Sequence, residues 1–140
     1  MKLKENDMKT IYNLEFLYEG FSVNPDDITK FLSVPPDEVC KKGDIIREIP
    51  KLLIVKENSW SINSKNCNLL SFENHLEYIL NRIKPSFELF YELSKKCKPI
   101  LNCIIKIYKG DRPLINVSRE NLHELSKLNV ELTFDIYNYD

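Results

Sequence analysis

Four cysteines and two histidines are the only thiol and imidazole metal ligands in this 140-residue chain. Cys40, Cys67, Cys97 and Cys103 include no Cys-x-x-Cys pair, and the nearest two, Cys97 and Cys103, have five residues between them. A structural zinc site usually takes two ligands from one tight knuckle, which limits the cost of closing the tetrahedron. The spacing therefore predicts four free thiols in a reducing compartment, with Cys97 and Cys103 as small core or border residues and no metal. His75 is read as solvated, since no second ligand is placed beside it. His123, in SRENLHEL, is a candidate general base, but Glu120 and Glu124 beside it equally fit a solvated helix face. Asp135 and Glu131 share one face of a strand at a separation of about 13 Å, too far for a carboxylate dyad. The stretch SVPPDEVCKKGD (33–44) raises the prospect of a phosphate cradle. Only three glycines occur in the chain, and no helix start follows Gly43, so that residue is read as a positive-φ turn and Pro35 as part of a helix stop.

The bulk composition is that of an ordinary globular chain, 43% hydrophobic and 29% charged, with a formal net charge of −1. That balance gives no reason to expect nucleic acid or an anionic membrane as partner. Lys106, Tyr108 and Lys109 make a fragment of a strand-tracking, base-stacking surface, diluted by Glu131 and Asp135. No apolar run is long enough to span a bilayer. MKLKENDMK, residues 1–9, lacks the apolar stretch of a signal peptide and is expected as a frayed leader on a single domain over 10–140. The expected setting is the cytoplasm.

The elements that must position these groups follow from periodicity. Tyr12, Leu14, Phe16 and Tyr18 alternate as a half-buried strand. Asn24-Pro25-Asp26-Asp27 starts a helix over about 25–32, with a cap, a first-turn proline and two acids at the positive end of the dipole. Leu52–Val55 is an apolar run of strand length, and Trp60 and Ile62 alternate with serines. Ser71 caps a long helix carrying Phe72, Leu76, Ile79, Leu80 and Ile83, broken at Pro85 and resumed by Phe87, Phe90 and Leu93. Leu101, Cys103, Ile105 and Ile107 share one strand face, and 113–117 is expected as its hairpin return. Ser118 caps a third helix, and Asn129 suits a left-handed end. In the closing strand Phe134 and Ile136 are expected to face the helices, and Asp135 and Tyr137 to face away. The order lacks a regular βαβ rhythm, and several strands have one apolar and one polar face. The fold class is α+β: a mainly antiparallel sheet of four to six strands with helices packed on one face.

Taken in order, FSVNPDDITKFLSVPPDEVCKKGD, the NSWSI strand and the tail LINVSRENLHELSKLNVELTFDIYNY resemble the bacterial family catalogued as domain of unknown function 4279, over about residues 11–139. Asn129 stands where such sequences often carry glycine. The resemblance implies a small stand-alone bacterial protein, in some cases beside a toxin gene. It carries over no catalytic residues, cofactor or ligand.

The expected function is a non-enzymatic protein-binding module of the immunity type, whose partner is another protein such as a toxin. Its candidate surface is Tyr108, Asp135 and Tyr137, with Trp60 placed beside them, because rigid aromatics give contact area at low entropic cost. The competing reading makes Trp60 core and the tyrosines ordinary strand residues. Two alternatives stand beside the module: a small hydrolase or transferase using Asp135 and His123, and a structural or interaction protein with no small-molecule ligand.

Overall fold

The alternation in TIYNLEFLYE becomes β1 (Thr10–Glu19), the central strand of the main sheet. The structure is a computed structural model that describes residues 10–69 and 71–139. The expected leader over 1–9, and residue 140 of the expected domain, lie outside the described residues. After β1 come α1 (Pro25–Leu32), β2 (Glu38–Cys40), β3 (Ile45–Arg47), β4 (Leu53–Ile54) and β5 (Ser59–Asn63). Then follow α2 (Phe72–Ile83), a 3-10 turn (Lys84–Ser86), α3 (Phe87–Ser94), β6 (Ile100–Tyr108), α4 (Arg119–Lys127) and β7 (Glu131–Tyr139). Five strands form the main sheet in the order β2-β5-β1-β6-β7. All its pairings are antiparallel except β6 with β7, which are parallel and joined through α4. The fold is α+β, as the sequence predicts.

The helix starts are made by the expected side chains. Asn24 Oδ1 accepts the Asp26 amide at 2.9 Å, Ser71 Oγ that of Asn74 at 3.0 Å, and Ser118 Oγ that of Asn121 at 3.1 Å. Each such cap stabilises its helix by about 1 kcal/mol. α1 stops one step before its prolines: Ser33 adopts φ 57° and its amide closes on the Thr29 carbonyl. Gly43, at φ 94°, starts the link to β3, and its amide bonds the Val55 carbonyl at 2.9 Å. The structure thus gives SVPPDEVCKKGD a mechanical role, ending α1 and opening the β3–β4 hairpin.

One sheet face is covered by the helices. Tyr12, Leu14, Phe16 and Tyr18 of β1, Trp60 and Ile62 of β5, and Leu101, Cys103 and Ile105 of β6 are buried with Ile28, Leu76, Ile79 and Phe90 from the helices. Trp60 is therefore core, which removes it from the expected surface patch: it is fully buried, and its indole N–H donates to Thr29 Oγ1 of α1 at 2.9 Å. His75 is likewise not solvated. It lies on the same face of α2 as Phe72 and Leu76 and is 1% exposed.

Three further expectations change. Residues 113–117 form no strand, because the chain crosses over through α4 to reach the parallel β7 and a hairpin partner is not required. The run 52–55 does not enter the core. Leu53 and Ile54 belong to the separate β3–β4 hairpin, where Ile45, Ile46, Ile49, Leu52 and Ile54 are exposed. In β7 the parity is as expected, since Phe134 stacks on Phe72 of α2 with ring centroids 6.2 Å apart. Its burial is not: β7 is the outermost strand, at the margin of the helical cover, and Phe134 is 47% exposed. Phe134→Ala should accordingly cost about 2 kcal/mol, roughly half the value for a fully buried aromatic. Denaturant melts check this against Asp135→Ala/Tyr137→Ala, which should shift stability by about 1 kcal/mol or less.

Candidate functional site: the uncovered face of the sheet

The strands that bury alternate residues against the helices turn the remaining ones to the other side. From the register, that second face carries Asn13, Glu15, Leu17 and Glu19 of β1, with Ser59, Ser61 and Asn63 of β5 on one flank. On the other flank stand Asn102, Ile104, Lys106 and Tyr108 of β6, then Glu131, Thr133, Asp135, Tyr137 and Tyr139 of β7. Glu38 of β2 extends the face beyond β5.

Two groupings stand out. At one end Tyr108 and Tyr139, aligned across β6 and β7, stack at 4.8 Å, and Tyr137 stacks on Tyr139 at 6.4 Å. Tyr137 and Tyr139 are 45% and 41% exposed, so this ladder of rings presents area to solvent. Asp135 follows on the same face of β7, opposite Ile104. At the centre Asn63, Glu15, Asn102 and Thr133 form one row across four strands. Thr133 Oγ1 donates to Asn102 Oδ1 at 2.8 Å. Asn13 Oδ1, one step along β1, is buried without a hydrogen-bond partner among the described residues.

The electrostatics of this face are lopsided. Glu15, Glu19, Glu38, Glu131 and Asp135 stand against Lys106 as the lone cation in this part of the register. Glu15 reports the field. Burial raises its carboxyl above the ordinary value, and the charges of Glu38 and Glu19 raise it further.

The catalytic alternative finds no such convergence. Asp135 is on the uncovered face, whereas His123 is exposed on α4, in the helical layer across the sheet. A serine–histidine contact does exist: Ser64 Oγ lies 2.7 Å from His75 Nδ1. Both residues are buried, and the pair is a structural relay. Ser64 Oγ accepts the Leu14 amide at 2.9 Å and donates to Nδ1, while Nε2–H donates to the Leu69 carbonyl at 3.3 Å. Burial lowers the pKa of His75, keeping this neutral tautomer. A groove of about 890 Å³ between α1 and α3 is mainly apolar, lined by Phe21, Phe31, Leu89 and Leu93. The Cys97 thiol at its wall is raised by burial, away from nucleophilic thiolate character. Cys103, deep under the sheet, is pushed up to about 12 by burial. Among the described residues no three His, Cys, Asp or Glu side chains converge as metal ligands.

A family model described as Domain of unknown function (DUF4279) matches residues 9–139. The chain belongs to this family. No curated protein and no solved structure matches it. In this DUF4279 chain Asn129 adopts φ 53°, the left-handed conformation expected of it at the helix end before β7. No helix among the described residues is long and apolar enough to cross a membrane.

Of the surface residues expected from sequence, Tyr108, Asp135 and Tyr137 do share the uncovered face of the DUF4279 sheet, and Trp60 does not. Tyr139 is the residue missed. It has the parity of Tyr137 in the segment IYNY, a signal that was available. The row of Glu15, Asn102 and Asn63 carries no local signal, because only the pairing of distant strands brings these residues together.

Proposed function

We propose that the protein is a non-enzymatic binding module, acting by occlusion in the manner of an immunity protein, and that its uncovered sheet face receives a basic segment of another protein. The observation that carries this reading is the stacked set Tyr108, Tyr139 and Tyr137 beside Asp135, on a face rich in carboxylates. Stacked tyrosines are rigid before contact, so little rotamer entropy is lost when a partner covers them. The surrounding carboxylates favour a cationic partner and speed its approach. The same charge disfavours nucleic acid, whose phosphates it repels. A toxin acting on nucleic acid, and therefore basic, fits this surface. The free thiols, with Cys40 exposed among them, suit a bacterial cytoplasm. The separation of Asp135 from His123 and the burial of Ser64 and His75 favour binding over turnover.

The test compares the wild-type protein with Asp135→Ala/Tyr137→Ala/Tyr139→Ala, each immobilised and exposed to extract from the source cell. The expected result is a basic protein retained by the wild type at low salt, released as salt rises, and absent from the variant, with the circular dichroism of the two alike. Equal retention by both proteins would overturn the reading.

A further inference from the structure

We infer that the free edge of β7 pairs with β7 of a second copy, antiparallel, about a two-fold axis at Phe134. The observations are separate from those behind the binding-module reading, since they concern the rim of the sheet and its backbone. Native sheets blunt their edges with short strands, bulges, prolines or lysines. The β2 edge obeys this, being three residues long. The β7 edge does not. ELTFDIYNY runs nine residues in unbroken register with β6, has no proline or lysine, and pairs with no described strand on its outer side. Leu132, Phe134 and Ile136 are 37%, 47% and 57% exposed along it.

The hydrogen-bonding phase of that edge limits the pairing. The Glu131 amide donates inward, to the Pro99 carbonyl at 3.1 Å. Amides alternate sides along a strand, so Leu132, Phe134, Ile136 and Asn138 direct their N–H and C=O groups outward. Two copies related by a two-fold axis must then set these residues opposite one another. An axis at Thr133 places Glu131 opposite Asp135, and an axis at Asp135 places that carboxylate opposite itself; like charges so paired are destabilising. An axis at Ile136 sets Phe134 against Asn138. Of these four, only the axis at Phe134 joins apolar to apolar without opposing like charges, with Phe134 opposite Phe134 and Leu132 opposite Ile136. On the other face it sets Thr133 opposite Asp135 and Glu131 opposite Tyr137, so no like charges meet. The sheet would become continuous through ten strands, and the two tyrosine ladders would lie on one shared face.

Light scattering across a dilution series tests association, and cysteine cross-linking tests register. The wild type should give twice the chain mass at high concentration, and Ile136→Lys should give the single-chain mass with unchanged circular dichroism. In a Cys40→Ser background, Phe134→Cys should oxidise to a covalent dimer, because facing residues of an antiparallel pair lie within disulfide reach. Leu132→Cys and Ile136→Cys should each form no covalent dimer alone and cross-link when mixed. A wild type that remains at single-chain mass throughout would overturn the inference, as would a dimer that Ile136→Lys leaves intact. Cross-linking of Leu132→Cys to itself with none at Phe134→Cys would overturn the stated register.

Discussion

Trp60→Ala should destabilise the fold by about 3–5 kcal/mol, the range for deleting a fully buried aromatic. The indole is fully enclosed, with its ring centroid 6.2 Å from that of Tyr18 and 6.0 Å from that of Phe90. Its N–H bond to Thr29 ties α1 to β5, so truncation opens a cavity and also releases a part-buried hydroxyl. Trp60→Phe should recover part of the loss by refilling the volume while leaving Thr29 unpartnered. Guanidinium melts of the three proteins check the order. A Trp60→Ala loss no larger than that of an exposed substitution would show that the indole does not hold the two layers together.

The second large effect lies at Ser64. Ser64→Ala strips the partner from the Leu14 amide in the central strand and from Nδ1 of His75. An orphaned buried polar group costs about 1–3 kcal/mol, and this substitution creates two. The relay also imposes a pH dependence. Burial holds the pKa of His75 below its unfolded value of about 6.5, so in that region the unfolded chain binds more protons than the folded one. The contribution of neutral His75 is complete above pH 6.5 and is lost as pH falls towards its folded value. Glu15 acts with the opposite sign, because its raised pKa makes the folded chain the better proton acceptor at mildly acid pH. The difference between wild type and His75→Asn isolates the first contribution. The gap between their melting temperatures should narrow from pH 7 towards pH 5, and a constant gap would show that His75 has the same pKa in the folded and unfolded chain.

How far the sequence could be read depended on whether a feature was local. Parity was local: the alternation in β1 and the Leu101–Ile107 series fixed which residues share a face, and the caps at Asn24, Ser71 and Ser118 formed as expected. Coverage was not local. Phe134 has the parity of a core residue, yet only the strand order reveals that β7 lies at the rim. Trp60 and Ile62 share a face by alternation, but pairing with the distant β1 decides which face the helices cover. His75 misled by its residue type. Its position on the Phe72–Leu76–Ile79 face pointed inward, and the serine that satisfies it comes from the preceding loop. The uncovered face repeats the pattern: Tyr137 and Asp135 were legible as neighbours on one strand, whereas the row joining Glu15 to Asn63 and Asn102 exists only once β5, β1 and β6 have paired.

The placement of β1 in the middle of the sheet has a consequence for biosynthesis. This strand leaves the ribosome before any of its partners, since Glu15 must wait for Asn63 and Thr10 for Ile107. Until β5 emerges its apolar row, Tyr12 to Tyr18, therefore has no strand beside it on either side. Contacts of such sequence separation are slow to form, and exposed strands of this kind are where nascent chains go astray. Folding must come late, once β6 has cleared the exit tunnel. Until then the emerging chain depends on whatever shields its first strand, and a transcript cut short before β6 yields a product whose central strand lacks one of its two neighbours.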